Sequence, residues 1–264
     1  MKKIYSIAML LLMVFTVAAQ DKPTVCIENF INNSDLNNQY AKQLYNEIVS
    51  GLSKSSRIII IQTSSFGKLP KDPTAYEDAL MAEGVNYLLK GTVDEYTAGR
   101  GKGFLTDKIY DQCEIKYTLT LIDIETHQTL SSEAMSCSYT LGSSASEAIS
   151  KAIEEASGDM KKYVNRHFKV NAKVKAIDQV DSKQRAKTLY VTMGSSSGVT
   201  KGDVLEVFAE VNIAGEKAKK KIGEVKVTEI MSATLSQCEV KSGGAEIKVA
   251  FDKGSTLSVV TRVK

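Results

Sequence analysis

The 264-residue chain has no tryptophan, only three prolines, two histidines and four cysteines, and its aromatic content is 7%. Four cysteines in a chain of this length exclude a small disulfide-dense scaffold, and 17 glycines exclude a collagen-like repeat. With 43% hydrophobic and 25% charged residues, the composition is that of a globular protein and not of a disordered one. The length accommodates one large domain or two small ones.

The one long apolar run lies near the N-terminus. Lys2 and Lys3 precede the run from Ile7 to Val17, which ends in small residues at Ala18 and Ala19. This layout is typical of a secretory signal peptide, so we predict cleavage after Ala19 and export to the periplasm. The run is shorter than the ~20 apolar residues that a membrane anchor needs. Gln20 stands where a lipoprotein would carry its cysteine, so any association with the outer membrane is expected to lack a lipid anchor.

Charge is distributed unevenly on either side of Phe168. Residues 20–168 carry 15 basic and 20 acidic side chains and residues 169–264 carry 17 and 11, which gives net charges of −5 and +6. This asymmetry predicts two domains, 20–168 and 169–264, with different surfaces. The densest basic cluster is either a candidate basic patch or the solvated tip of a hairpin, and it contains Lys217, Lys219, Lys220 and Lys221. Export argues against a nucleic-acid partner.

Because the chain is predicted to be exported, its four cysteines are able to form disulfides. Cys113 and Cys137 flank a turn predicted at Glu125–Gln128, on neighbouring antiparallel strands, so a disulfide between them is a candidate. A register slip of one residue would place the two side chains on opposite faces of the sheet. Cys26 and Cys238 lie in apolar strands and are predicted to be buried. No cysteine or histidine pair has metal-ligand spacing, and we expect neither a metal nor a cofactor.

Residues 20–168 show strand and helix patterns in the order β-α-β-α-β-β-β-α, which predicts a mixed sheet with covering helices. The helix starts are marked by Ser34 or Asp35, by Thr74 with Glu77, and by Ser144 with Glu147. Residues 98–112 break the pattern and are interpreted as a flexible or partner-contacting loop, with Gly99, Arg100, Gly101, Lys102, Gly103 and Phe104 as candidate contacts. A phosphate-binding loop does not fit, because no Ser or Thr follows Lys102 and no helix begins there.

Residues 169–264 change to a period of two. Short strands are predicted at 170–176, 188–193, 204–209, 221–230, 234–241 and 256–263, with no helix among them. Their regular spacing predicts a small all-β barrel or sandwich. The fold class is therefore α+β.

Several segments resemble known envelope proteins. Val25–Phe30 with Asn32-Asn33, the strand at 57–61, Gly84–Val93 and Leu121–Thr126 resemble the family of the curli-secretion protein CsgG, whose fold group includes the penicillin-binding-protein activator LpoB and the N-terminal domain of TolB. Gly198–Asp203 followed by the strand Val204–Phe208, and Ile222–Val227 later in the chain, resemble the C-terminal domain of the flagellar outer-membrane ring protein FlgT. The resemblance implies assembly, secretion or activation of an envelope machine, and it assigns no chemical role to any residue. A CsgG-like pore is disfavoured, because residues 98–103 lack the alternating apolar face of a lipid-facing strand.

No set of acids, bases and nucleophiles converges in the sequence. His127 lies at a predicted turn, His167 lies near the domain boundary, and Ser195–Ser197 lacks the Gly-x-Ser-x-Gly pattern. We therefore expect no catalytic residue and a non-enzymatic exported protein that acts through contacts with other envelope proteins, with homo-oligomerisation left open. The alternatives are a periplasmic ligand-binding module, with an apolar pocket between the domains, and a hydrolase, with two facing carboxylates in a deep pocket. The interaction hypothesis instead predicts shallow surfaces and an exposed sheet edge or apolar patch.

Overall fold

The computed structural model describes residues 22–102, 108–213 and 216–262. The predicted signal peptide, and Gly103 and Phe104 of the candidate loop, lie outside the described residues. The elements of the first part, which we call the α/β unit (residues 24–167), are β1 (Thr24–Ile27), β2 (Ile31–Asn32), α1 (Asn38–Ser53), β3 (Ile59–Gln62), α2 (Pro73–Ala82), β4 (Tyr87–Lys102), β5 (Ile109–Asp123), β6 (Gln128–Gly142) and α3 (Ala145–His167).

The elements of the second part, the barrel unit (residues 171–261), are β7 (Asn171–Val180), β8 (Ala186–Val191), β9 (Val204–Ile213), β10 (Glu216–Ile230), β11 (Ser236–Ser242), α4 (Gly244–Asp252) and β12 (Leu257–Thr261). Short 3-10 turns lie at Thr63–Ser65 and Ser195–Ser197. The α+β fold class is confirmed.

The sheet of the α/β unit is mixed, as predicted. Its strand order is β3-β1-β4-β5-β6, and the short β2 pairs with β4. β1 runs parallel to β3 and to β4, whereas β4, β5 and β6 form an antiparallel meander. Strand β6 is therefore one edge of the sheet, and β3 is the other.

Helices cover the two faces of this sheet. Helices α1 and α3 pack together on one face, where Leu44, Ile48, Ile153 and Tyr117 are fully buried. A Cβ atom at Gly51 would lie 2.6 Å from the Ser157 carbonyl oxygen, so this glycine permits the close approach of α1 to α3. Helix α2 covers the other face with a smaller core that contains Cys26, Leu80, Leu88 and Ile122.

The barrel unit closes on itself in the order β10-β11-β8-β7-β12-β9, and every neighbouring pair is antiparallel. Leu189, Val207, Val225 and Val259 are fully buried in its core. The prediction of an all-β unit is wrong in one respect, because α4 packs on the barrel through the buried Ile247. This helix spans nine residues, which is too short for its apolar positions to establish a helical period.

Two details of the α/β unit also differ from expectation. The start of α1 is capped by Asn37, whose side chain accepts a hydrogen bond from the Gln39 amide, and not by Ser34 or Asp35. The start of α2 is capped by Asp72, not by Thr74. The predicted cap at Ser144 is confirmed, since its hydroxyl accepts from the Glu147 amide.

Candidate functional site

The exposed edge of β6 is the most distinctive surface of the α/β unit. Residues Ser131–Tyr139 pair with Leu121–Cys113 of β5 in an unbroken register, and irregularities in the pairing lie at both ends of this segment. No other described strand pairs with β6, so its outer backbone groups have no strand partner. The strand contains no proline, no lysine and no arginine, and Glu133 is its one charged residue. We call Ser131–Tyr139 the β6 edge.

The charge of Glu133 is compensated from α3. His167 Nε2 lies 2.7 Å from Glu133 Oε1, and Arg166 contacts both carboxylate oxygens. Burial opposes ionisation of this carboxyl, but the hydrogen bonds from Arg166 and His167 outweigh burial and hold the pKa of Glu133 below its usual value. The β6 edge therefore carries no uncompensated charge.

Small side chains and two leucines complete this surface. Ser132, Ala134, Ser136 and Ser138 alternate along β6 on the face opposite α3, and all four are exposed. Leu130 and Leu141 lie just beyond the two ends of the β6 edge and are 52% and 55% exposed. Both leucines are thus exposed apolar side chains that flank the β6 edge.

The candidate loop of residues 98–112 is not a loop in its described part. β4 continues to Lys102, β5 begins at Ile109, and these residues pair across a long hairpin. The Arg100 Nε donates to Asp111 Oδ1 across the two strands at 3.1 Å, and Ile109 is 64% exposed. The prediction missed the strands because glycine has a low β-propensity, whereas here the paired β5 strand stabilises the extended conformation.

The basic cluster lies on β10, opposite β9, in the second long hairpin. Lys221 Nζ lies 2.7 Å from both Glu206 Oε1 and Glu224 Oε1, and Lys219 is paired in register with Glu210. Strand alternation puts Lys220 on the opposite face from Lys217, Lys219 and Lys221. The four lysines are therefore divided between two faces and partly compensated by glutamates.

The candidate disulfide between Cys113 and Cys137 is not formed. Both thiols are buried and free, because Cys113 is opposite Tyr139 and Cys137 is opposite Ile115. The two cysteines share a face but are offset by two residues, so they are diagonal and not direct neighbours. The Cys113 thiol donates to the Ala148 carbonyl, and burial raises the pKa of Cys137 to about 12. Cys26 and Cys238 are buried, as predicted.

His127 connects the β5–β6 turn to α2. Its φ of 55° is left-handed, in line with the turn position predicted for it, and its Nδ1 lies 2.7 Å from Glu77 Oε2. Glu77 is therefore a partner of His127 and not part of a helix cap. No group of three or more His, Cys, Asp or Glu side chains in the described ranges has the geometry of a metal site.

Contacts between the α/β unit and the barrel unit were not predicted at all. Arg57, in the turn before β3, donates from Nη2 to Asp203 Oδ2 at 3.1 Å, and its side chain is only 6% exposed. The Ser56 hydroxyl donates to the Gly198 carbonyl at 2.9 Å. These residues are more than 140 positions apart in the chain, so no local pattern could have indicated their contact.

None of the helices that the structure describes has both the length and the apolar character required to span a bilayer.

Comparisons with known proteins found structural likeness alone. No protein-family model and no curated protein matches the chain. Among solved structures, the PelC dodecamer from Paraburkholderia phytofirmans is 14% identical over 52% of this chain and 89% of that chain, with a TM-score of 0.36. The C-terminal domain of LpoB from Salmonella enterica is 11% identical over 46% of this chain and 85% of that chain, with a TM-score of 0.28.

TolB from Acinetobacter baumannii is 12% identical over 85% of this chain and 61% of that chain, with a TM-score of 0.31. LpoB and TolB belong to the fold group that the sequence resembles. Because these TM-scores lie below 0.5, the matches carry no argument about what this chain binds.

Proposed function

We propose that this chain is a non-enzymatic, exported envelope protein that binds an extended segment of another envelope protein along the β6 edge. The observation that carries the proposal is the backbone edge of Ser131–Tyr139, whose pairing with β5 is unbroken and which bears no uncompensated charge. The N-terminal signal peptide predicted from the sequence supports a location in the cell envelope. Such a contact allows this protein to act as a scaffold in an assembly or secretion machine.

Edge strands expose backbone donors and acceptors that pair with any extended chain, and proteins usually protect them with lysine, proline or short length. β6 has 15 residues, no lysine and no proline, and the irregularities in its pairing lie only at the ends of the β6 edge. Its single carboxylate is compensated by Arg166 and His167, so an incoming strand meets no unpaired charge. Strand addition of this kind obtains affinity from main-chain hydrogen bonds and specificity from side-chain contacts at alternate positions.

An extended segment fits this edge better than a second folded copy does. A stable interface between folded proteins usually buries about 1,200–2,000 Å² in total and has an apolar centre. The solvent-exposed side of α3, the helix that packs against β6, carries charged residues, namely Lys151, Glu154, Glu155, Lys161 and Lys162. A single strand needs only the edge itself and the leucines at its two ends.

The polar side chains support a non-enzymatic role. Both histidines are held by carboxylates, His127 by Glu77 and His167 by Glu133, at 2.7 Å. Of five pockets in the described residues, none is lined by more than one carboxylate. A glycoside hydrolase would need two facing carboxyl groups in one site.

The test is photocrosslinking in cells. A photoreactive amino acid at Ser136, on the β6 edge, should give a crosslinked product with a different polypeptide, whereas the same amino acid at the exposed Lys175 of the barrel unit should give none. Introducing Ala134→Lys together with the Ser136 probe should abolish the product, since a charged lysine on an edge strand opposes pairing. Absence of a crosslinked product at Ser136 would refute the proposal. A product with the mass of a homodimer would also contradict it, because the chain bound at the β6 edge would then be a second copy of this protein.

A further inference from the structure

Arg57 is a buried cation with one unused donor group. It lies where the α/β unit meets the barrel unit, and its side chain is 6% exposed. Nη2 is bound to Asp203, but Nη1 is buried and has no hydrogen-bond partner among the described residues. The Asp203 oxygen that receives Nη2 also accepts from the Thr200 amide.

An unpaired buried donor is costly, and the cost is higher for a charged group. Nearly all buried polar groups in proteins have a partner, and an exception often marks the place of a water molecule or ion. The guanidinium of Arg57 therefore indicates that a further acceptor belongs beside it.

A pocket of about 170 Å³ lies next to Arg57, between the two units. Its lining includes Lys22 and Lys169 as well as Arg57, and contains no aspartate or glutamate. His167 also contributes to the wall, but its Nε2 contacts Glu133, outside the pocket lining. Ser197, from the barrel unit, adds a hydroxyl. Three basic residues thus line one small cavity that has no acid in its own lining, and Asp203, which pairs with Arg57, lies outside that lining.

We propose that this pocket binds a small oxyanionic group, a phosphate or a carboxylate. One of its oxygens accepts from Arg57 Nη1, and its charge is balanced by Lys22 and Lys169. Arginine donates paired, charge-assisted hydrogen bonds to such groups, and these are stronger than bonds between neutral partners. A water molecule would satisfy Nη1 but would not balance the charges of Lys22 and Lys169.

The position of the pocket gives the anion a second effect. Arg57 and Lys22 belong to or precede the α/β unit, Ser197 belongs to the barrel unit, and Lys169 lies in the segment that joins them. An anion bound here contacts all three parts and therefore stabilises their relative placement. The inference does not depend on the role of the β6 edge.

A second pocket that Arg57 lines provides an internal comparison. This pocket of about 400 Å³ is lined by Lys54 and Lys161, but also by Asp203. Asp203 places a negative charge in this pocket, so an anion is favoured less there than beside Lys169. Lys161→Gln therefore serves as a matched control for Lys169→Gln.

The experiment is calorimetric titration of the purified protein with inorganic phosphate and, separately, with acetate, at constant ionic strength set by chloride. We expect one saturable site per chain. Lys169→Gln should weaken binding by at least about tenfold, whereas Lys161→Gln and the exposed Lys175→Gln should change it by less than about twofold. Arg57→Gln should abolish binding. If the Arg57→Gln variant does not fold, Lys169→Gln still tests the proposal.

The two ligands identify the preferred class of anion, since a phosphate-specific site will not bind acetate at the same concentration. Failure of both ligands to bind the unmodified protein would overturn the inference. Equal weakening by Lys161→Gln and Lys169→Gln would also overturn it, because the effect would then reflect general positive charge and not this pocket.

Discussion

Gly198 is the position where the packing of the barrel unit against the α/β unit can be tested most sharply. Its φ of +71° is left-handed, and a Cβ atom there would lie 2.2 Å from the Ser56 carbonyl oxygen and 2.6 Å from the Arg57 Cα. These are backbone atoms, which cannot rotate aside as a side chain can. Gly198→Ala should therefore both strain its own turn and push the two units apart.

The expected loss of stability in Gly198→Ala has two contributions. A left-handed conformation costs a residue with a Cβ about 1–2 kcal/mol, and overpacking of a close contact costs about 1–3 kcal/mol. Gly254 is a matched control, because its φ is +73° but a Cβ atom there meets nothing within 4 Å. Gly254→Ala should lose only the first contribution, so Gly198→Ala should be less stable than Gly254→Ala by about 1–3 kcal/mol.

The assay is urea unfolding followed by far-ultraviolet circular dichroism and by tyrosine fluorescence, since the chain has 11 tyrosines and no tryptophan. Comparing the two probes also shows whether the two units unfold together. Equal losses of stability in the two alanine variants would refute the close contact between Gly198 and the turn at Ser56.

Three further predictions concern the α/β unit. Gly158→Ala should raise the free energy of unfolding by about 0.5–1 kcal/mol, because Gly158 lies inside α3 with open space around it; a lower thermal midpoint would contradict this. Asn37→Ala should cost about 1 kcal/mol in urea unfolding through loss of the α1 cap, and a comparable loss in Asp35→Ala would show that the cap is assigned wrongly. The lowered pKa of Glu133 means that its contribution to stability is present above the unfolded-state pKa and is lost as the pH falls through the folded-state pKa. Glu133→Gln should therefore flatten the fall of the urea midpoint between pH 7 and pH 3, and unchanged pH profiles would contradict the pairing with α3.

The order of elements in the α/β unit could be predicted because each helix has one apolar face and each core strand is rich in β-branched or alternating apolar residues. Helix α3 is an example, since Ala148, Ile149, Ala152, Ile153 and Ala156 are all buried. Local chemistry was also sufficient for the Ser144 cap and for the left-handed turn at His127. These features depend on neighbours in the sequence.

Features that depend on distant residues could not be predicted. The extended conformation of residues 98–102 is imposed by pairing with β5, and the Arg57–Asp203 contact joins two units. The sequence predicted β6 as a strand, but strand order decides that it lies at the edge of the sheet, and order is a property of the whole fold. The candidate surface therefore became visible only with the topology.

The central claim, that another polypeptide pairs with the β6 edge, is tested most directly by amide hydrogen exchange of Ser131–Tyr139. In the purified protein about half of these amides, those that point away from β5, should exchange rapidly. In protein recovered with its crosslinked envelope partner the same amides should become protected, while the amides of β5 should be protected in both states. Unchanged rapid exchange along β6 in the envelope complex would contradict the claim.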